Sequence, residues 1–559
     1  MKLGRGVGFG VGVSFCVLAG VRAGAADAVQ QDRVRVAMRD GIKLAADVYY
    51  VPGPGKLPVI LVRTPYNKGK KLSRGHRAFV DAGYAVVIQD VRGRYESDGN
   101  FDPLHQEYRD GDDTLSWIAK QPWSNGKVGM IGGSYVGIVQ WKAALTGNPA
   151  LKAIFPVVSG YDDYRDRFYS TGGAMKAGNR LLWISGNMKA PGFTPPKFDL
   201  FVRSLPIKDA DRAATGHTIR MYQNAMEHPT YDSFWKSIST REHIADVKVP
   251  VFSAGGWYDN FVQSDLEAFS ALRKLGRDAH TLIGPWAHNM SVPFDGFSFG
   301  PDASAPILRL QLDWFDHHLK GGGARAQFAP LRIFVMGRNK WRDEREWPLA
   351  RALPTPYYLS KGTLHTRAPR RHHTDKFSYN PADPVPTHGG NTCCNPKIFA
   401  WGPMDQRNVE KRKDVLVYTG PELKQDTEVT GPIKVVLYVS TSARDTDFTA
   451  KLVDVHPDGR AINLTDGILR LRYREGLETA VLAEPGKTYG VTIDAGVTSN
   501  VFLAGHRIRL EISSSNFPRF DRNFNTGKAN NFESKGVVAE QTIYSGRDVA
   551  SHILLPVVR

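Results

Sequence analysis

The sequence predicts two folded parts: a mostly parallel α/β domain carrying a helical insertion, and after it an all-β domain of jelly-roll type. Three observations predict this. Short apolar runs alternate with helical patterns up to residue 345, as strands of a sheet covered on both faces do. Residues 161–245 interrupt that alternation with an aromatic, Met-rich and charged stretch of helical character. From residue 350 onward come many short alternating segments separated by turn signals such as Pro457-Asp458-Gly459.

Residues 1–25 read as a signal peptide. Lys2 and Arg5 precede an apolar run from Val7 to Val21, and Ala23-Gly24-Ala25 forms an A-x-A cleavage site. The run is short and glycine-rich, no later segment stays apolar for about 18 residues, and Cys16 lacks a lipobox. Export to a bacterial periplasm without a stable membrane anchor is the expectation. Next, RVRVAMR and IKLAADVYY flank the turn dipeptide Asp40-Gly41 as a hairpin. PVILVRTPY and YAVVIQDVRGR follow as strands around a helix near residues 72–82. DGDDTLSWIAKQ is helical, KVGMIGGSYVG is a strand and turn, Tyr135 to Thr146 is a helix, and LKAIFPVV ends the first stretch of the domain, 26–160. The insertion, 161–245, is read as a cap over the strand ends. The sheet resumes in 246–345 with VPVFSAGGWYD and AHTLIGPWAH, and the helical LQLDWFDHHLKG closes it. The β-sandwich, 350–559, contains PYYLS, DVLVYTG, IKVVLYVST, FTAKLVDVH, ILRLRYR, YGVTIDA, HRIRLEISSS and HILLPVV.

The formal charge of +17 includes Lys2, Arg5 and Arg22 and no acid within residues 1–25, so the mature chain carries 17 − 3 = +14. Its basic clusters, Arg370-Arg371 and Lys411-Arg412-Lys413, sit apart in polar segments without interleaved aromatics, which argues against a nucleic-acid partner. Beyond Cys16 only Cys393 and Cys394 remain, so no disulfide framework holds the fold. Adjacent Cα atoms lie about 3.8 Å apart, below the usual disulfide range, which leaves both a strained bridge and two free thiols open.

Ser134 stands between glycines at the end of an apolar run, where a strand-to-helix turn can hold a serine out as a nucleophile. Gly132 fits the first position of G-x-S-x-G and Val136 fails the last. A serine hydroxyl needs a histidine to accept its proton and a carboxylate to orient that histidine. In an α/β hydrolase these follow in the order Ser, Asp, His on loops after later strands, and Asp259 and His288 stand just beyond two such apolar runs.

RTPYNK, QDVRGRYESDG, GKVGMIGGSYVG, GGWYDNF and GPWAH, continued by GGNTCC and SSSNFPRFDRNFNTG, resemble the cocaine-esterase-like hydrolases. These are grouped with α-amino-acid ester hydrolases, glutaryl-cephalosporin acylases and X-Pro dipeptidyl-peptidases. The resemblance spans nearly the whole mature chain. It implies an α/β hydrolase domain with an inserted helical cap, followed by an all-β jelly-roll domain. It also implies Ser134 as nucleophile, Asp259 as acid, His288 as base, and an oxyanion hole from the Tyr66 hydroxyl and the Tyr135 amide. Where α-amino-acid ester hydrolases carry D-x-E-D, this chain has Asp259-Asn260-Phe261-Val262, so an amine pocket of that design is not expected. Asp162 and Asp163 could offer a carboxylate to the site, or simply start a helix. Trp257, Tyr258, Phe261 and Trp286 flank the triad and point to an aromatic wall. Arg92 and Arg94 read as ion-pair formers.

The adjacent pairs His317-His318 and His372-His373 lack ligand spacing, His105 has no evident role, and no nucleotide motif follows a strand, so no metal and no cofactor are expected. The reading is a secreted serine hydrolase of small ester or amide substrates. An X-Pro dipeptidyl-peptidase or aminopeptidase acting on the free N-termini of short peptides is the alternative, and a carbohydrate-binding protein with a degenerate hydrolase domain the third.

Overall fold

The computed structural model describes residues 28–103, 105–321 and 328–559, so the signal-peptide reading lies outside the described residues. Ten strands form the first sheet: β1 (Gln30–Ala37), β2 (Lys43–Tyr50), β3 (Leu57–Thr64), β4 (Ala85–Asp90), β5 (Ser124–Gly133), β6 (Leu151–Val157), β7 (Val251–Gly256), β8 (Ala279–Gly284), β9 (Leu331–Val335) and β10 (Lys340–Glu344). Their order is β1-β2-β4-β3-β5-β6-β7-β8-β9-β10. Neighbours from β4 through β9 run parallel, while β1, β2 and β10 attach antiparallel at the edges. The inner strands are buried on both faces, which is why AVVIQD and LPVILVRT read as continuous apolar runs rather than alternations. The predicted hairpin forms with Val36 opposite Leu44, and Gly41 takes the left-handed conformation its turn requires.

LQLDWFDHHLKG does not close this sheet. Helix Ile307–Phe315 and a π-helical turn, Asp316–Lys320, are followed by β9 and β10, which the sequence reading did not assign. Between β6 and β7 the named elements are helical, among them Asp163–Phe168, Ala177–Asn187 and Arg220–Glu227. No helix among the described residues is long and apolar enough to cross a membrane.

A second sheet of eleven strands runs between Ala352 and Val558. Its long strand Thr427–Thr441 pairs antiparallel with Tyr489–Phe502. Strands Thr363–His365, His373–Tyr379 and Ala539–Ser545 were not read from the sequence, and ILRLRYR is displaced: the strand is Ala461–Arg470, followed by a 3-10 turn. Every residue of that strand is buried, so the alternation that identifies a half-buried strand is missing. The all-β part is tied to the first at several points. Arg470 pairs with Asp447 at 3.0 Å and Asp521 at 2.8 Å, all three buried, and Asp521 also accepts the Met175 N–H from the insertion.

Candidate active site

Strand β5 sits between β3 and β6 and ends at Gly133, so Ser134, the next residue, stands at the carboxyl edge of the parallel sheet, where open α/β sheets place their sites. Ser134 has φ 57° and ψ −125°, a conformation few non-glycine residues adopt. The fold holds it there. Its N–H donates to the Val157 carbonyl at 2.9 Å, and its own carbonyl accepts from Gly137 and Ile138, opening helix Tyr135–Ala144. A Cβ at Gly132 would stand 2.2 Å from Val136 Cγ1, and one at Gly137 2.5 Å from Ser159 Cβ. Gly137 therefore lets the helix close onto the chain after β6, and Val136 is tolerated because its side chain fills the space above Gly132.

Asp259 follows β7 and is fully buried; its Oδ2 lies 2.6 Å from His288 Nδ1, and its Oδ1 accepts from the Phe261 N–H. His288 follows β8. With Nδ1–H directed at the carboxylate, Nε2 is left as the acceptor of the neutral ring. Asn391, from the GGNTCC motif, donates to the backbone carbonyls of both Trp257 and Asp259 and braces the acid's loop.

Ser134, Tyr135 and His288 line one cavity of about 40 Å³ with Phe261, Asn260 and Ile138. The insertion supplies Asp166, Arg167, Asn179, Arg180, Trp183 and Met221, and the all-β part supplies Cys393 and Cys394. Tyr66, just after β3, is half-buried and reaches the cavity through Trp183, whose indole N–H donates to the Tyr66 oxygen at 3.1 Å. Trp183 also stacks on Tyr135, centroids 6.0 Å apart at 9°. The Tyr135 hydroxyl donates to Glu107, which is buried beside Arg63 at 2.9 Å; burial outweighs that charge and raises the Glu107 carboxyl above its ordinary range.

Several expected pocket residues lie elsewhere. Trp257 is buried against Trp347 and donates to the Phe334 carbonyl. Trp286 packs on Trp341 and donates to Ala303. Tyr258 donates to Asn463 across to the all-β part and lines a separate cavity. Of the four aromatics Phe261 alone lines the cavity, its ring 5.7 Å from His288. Asp162 caps the helical turn Asp163–Phe168, accepting from Tyr164 and Arg165, as its alternative reading held. Asp163 is buried between Lys142 at 2.6 Å and Arg167 at 2.5 Å, so neither acid faces the cavity.

Cys393 and Cys394 form a vicinal disulfide, not two thiols, and both line the cavity, a position the sequence reading gave no chemistry. Arg92 pairs with Asp110 and Asp40 as expected, whereas Arg94 donates to the Pro65 carbonyl. His105 lies 3.4 Å from Asp102. One group with ligand-like proximity was not legible as spacing: Asp454, His456 and His506 gather because their strands pair, and His506 bonds Asp454 at 2.8 Å.

Residues 40–290 match the family described as X-Pro dipeptidyl-peptidase (S15 family), and residues 324–554 match the X-Pro dipeptidyl-peptidase C-terminal non-catalytic domain. The chain is 41% identical over 567 residues to the cocaine esterase of Rhodococcus sp. (strain MB1 Bresler), across 94% of this chain and 98% of that one. A putative serine esterase of Mycobacterium bovis is 27% identical, across 94% and 95%. Among solved structures, an α-amino acid ester hydrolase superposes with a TM-score of 0.84 at 27% identity over 97% of this chain and 100% of that one. An aminopeptidase from the marine sediment archaeon Thaumarchaeota archaeon gives 0.85 at 27% identity, over 95% and 97%. With an α/β hydrolase fold and an all-β C-terminal domain in the same order, the chain belongs to the S15 X-Pro dipeptidyl-peptidase family, in its cocaine-esterase-like branch of serine hydrolases.

Proposed function

We propose that the protein is an exported hydrolase of small carboxylic esters, with Ser134 as nucleophile, His288 as general base and Asp259 as its orienting acid. The observation that carries this is the 2.6 Å contact between Asp259 and His288, with His288 lining the same cavity as a serine held at φ 57° on a strand-to-helix turn. Ser134 Oγ attacks the acyl carbon as His288 Nε2 takes its proton, and Asp259 stabilises the imidazolium. The Tyr66 hydroxyl and the Tyr135 amide hold the oxyanion of the tetrahedral intermediate. His288 returns the proton to the leaving alcohol, and water, activated by the same ring, releases the acid.

The dipeptidyl-peptidase reading needs a carboxylate to hold a free α-amine. Among the described residues Asp166 is the one carboxylate lining the cavity, and its Oδ2 is engaged by the Tyr161 and Asp162 amides and the Ser264 hydroxyl. Arg167 and Arg180 line the same cavity and repel an ammonium. Ester hydrolysis is therefore the better reading.

A fluorophosphonate probe tests it. Labelling of wild type at Ser134, lost in a folded Ser134→Ala variant together with ester turnover, is the expected result. Full activity in Ser134→Ala would overturn the mechanism. Cleavage of Ala-Pro-anilide but not of its N-acetylated form would favour the peptidase.

A further inference from the structure

Asp454, His456 and His506 meet at the end of a two-strand ladder in the all-β part, away from the cavity beside Ser134. Strand Asp447–Val455 pairs antiparallel with strand Arg507–Ser513, with Asp454 opposite Ile508 and Val455 opposite Arg507. One step further, that register sets His456 opposite His506, and the two-residue alternation puts Asp454 on the same face as His456. The two imidazoles accordingly meet with ring centroids 4.5 Å apart. Backbone bonds fix both positions without using either side chain. The His456 N–H donates to the Arg460 carbonyl and the His506 N–H to the Leu503 carbonyl, each closing a turn.

Each of the three offers one ligand atom, and these atoms lie within 4.8 Å of one another. Zinc holds imidazole nitrogen and carboxylate oxygen at about 2.0–2.2 Å, so neighbouring ligand atoms around it stand roughly 3–3.5 Å apart. His506 Nδ1 and Asp454 Oδ1 are 2.8 Å apart, so a cation that displaces the proton between them needs only a small opening. Asp454 and His506 are buried, whereas His456 is half-buried and has room to swing its ring over the remaining distance. Burial also holds the His456 imidazole below its ordinary range, in the neutral form that binds metal. A second observation points to a ligand. All three residues line one cavity of about 300 Å³, and Asn339, which lines it too, has an amide oxygen shielded from solvent and without a hydrogen-bond partner. A cation or its bound water would remove that cost. The arginine of this cavity, Arg460, is offset by Asp458 at 2.7 Å.

We propose that Asp454, His456 and His506 form a binding site for a divalent transition-metal cation of the zinc type. Two imidazoles with one carboxylate select such a cation over Ca²⁺ and Mg²⁺, which take oxygen donors. Three protein ligands leave at least one coordination position for water, and the cavity above them has the volume to hold it. Bound there, the cation ties the turn Pro457-Asp458-Gly459 to the loop that enters strand Arg507–Ser513, two segments about fifty residues apart in the chain. The site stands apart from the proposed triad and does not depend on the hydrolase reading.

Calorimetric titration of ZnCl₂ into the untagged chain, stripped with EDTA and exchanged into metal-free buffer at pH 7.5, tests the site. One equivalent is expected to bind per chain, with affinity lowered at least roughly 100-fold in His456→Ala. That variant keeps the bond between Asp454 and His506, so its unfolding transition without metal is expected to match wild type. His506→Gln, which removes a second ligand, is expected to lose binding as well, and His456→Asp, which keeps a ligand atom, to retain part of it. Co²⁺ in place of Zn²⁺ is expected to give a visible ligand-field absorption with wild type that His456→Ala abolishes. Zinc binding that both His456→Ala and His506→Gln leave unchanged overturns the site. So does binding that disappears instead in His372→Ala/His373→Ala, Ca²⁺ binding as tight as that of Zn²⁺, or no zinc binding at all.

Discussion

Replacing Trp183 by Phe tests how the proposed oxyanion site is set. The Trp183 indole N–H donates to the Tyr66 oxygen at 3.1 Å. A phenol oxygen that accepts this bond keeps its own proton for a second acceptor, and the one the mechanism needs is the oxyanion forming above Ser134. Phe removes the donor but keeps a ring against Tyr135, whose stack on Trp183 is nearly parallel at 9°. One neutral hydrogen bond contributes about 0.5–1.5 kcal/mol, so kcat is expected to fall roughly 2- to 12-fold. Tyr66→Phe removes the donor itself and costs about 100-fold or more. The deciding quantity is the double variant. If Trp183 acts through Tyr66, adding Trp183→Phe to Tyr66→Phe lowers kcat by less than about 2-fold, whereas independent effects multiply. Single-turnover rates with a p-nitrophenyl ester give the four corners of the cycle. The same factor in both backgrounds would show that Trp183 acts by packing alone, and the account of Tyr66 orientation would be wrong.

Asp166, held up to about 7, gives a pH prediction. Between an unfolded value near 3.8 and that folded value the native state binds a proton the unfolded chain has released, so this contribution makes stability fall as pH rises through the window. The melting temperature of Asp166→Asn is expected to fall less than that of wild type as pH rises from 5 to 8; parallel slopes by calorimetry would refute the assignment. Arg470→Met leaves Asp447 and Asp521 facing each other in the core and is expected to cost about 3–5 kcal/mol, read as an earlier unfolding transition; an unchanged transition would deny the ion triad a structural role. Intact-mass measurement under non-reducing conditions is expected to show the chain lighter by two hydrogens than after reduction, with the loss mapped to the peptide holding Cys393 and Cys394; two free thiols there would contradict the disulfide.

Ser134, Asp259 and His288 were legible because each stands just past a parallel strand, where an apolar run stops and a polar residue must do something other than pack. The cavity walls were not. Trp257, Tyr258 and Trp286 share that strand-end setting with Phe261, but the chain there turns each ring a different way: Trp257 and Trp286 into the core, Tyr258 toward Asn463. Sequence adjacency to a proposed catalytic residue says nothing about that direction. Arg180, Trp183 and Met221 come from helices of the insertion. Helical periodicity identifies their buried faces, but which buried face meets Ser134 depends on how the insertion sits over the sheet, and that has no local signature.

The contacts of Asn391 change what the all-β part is for. Read from sequence, it is a run of strands, with sugar binding as one reading of it. In the fold, Asn391 holds the carbonyls of Trp257 and Asp259, which are both buried, and Cys393 and Cys394 complete the cavity two and three residues later. An amide that supplies both bonds at once fixes the loop between β7 and the helix Val262–Lys274, and with it the carboxylate that orients His288. A carbonyl pair left without that donor would cost on the order of 1–3 kcal/mol each, enough to let the loop choose another path. The carboxylate that bonds His288 is thus held in place from the C-terminal part of the chain, more than a hundred residues downstream, and the bracing role of GGNTCC is legible only once that contact is seen.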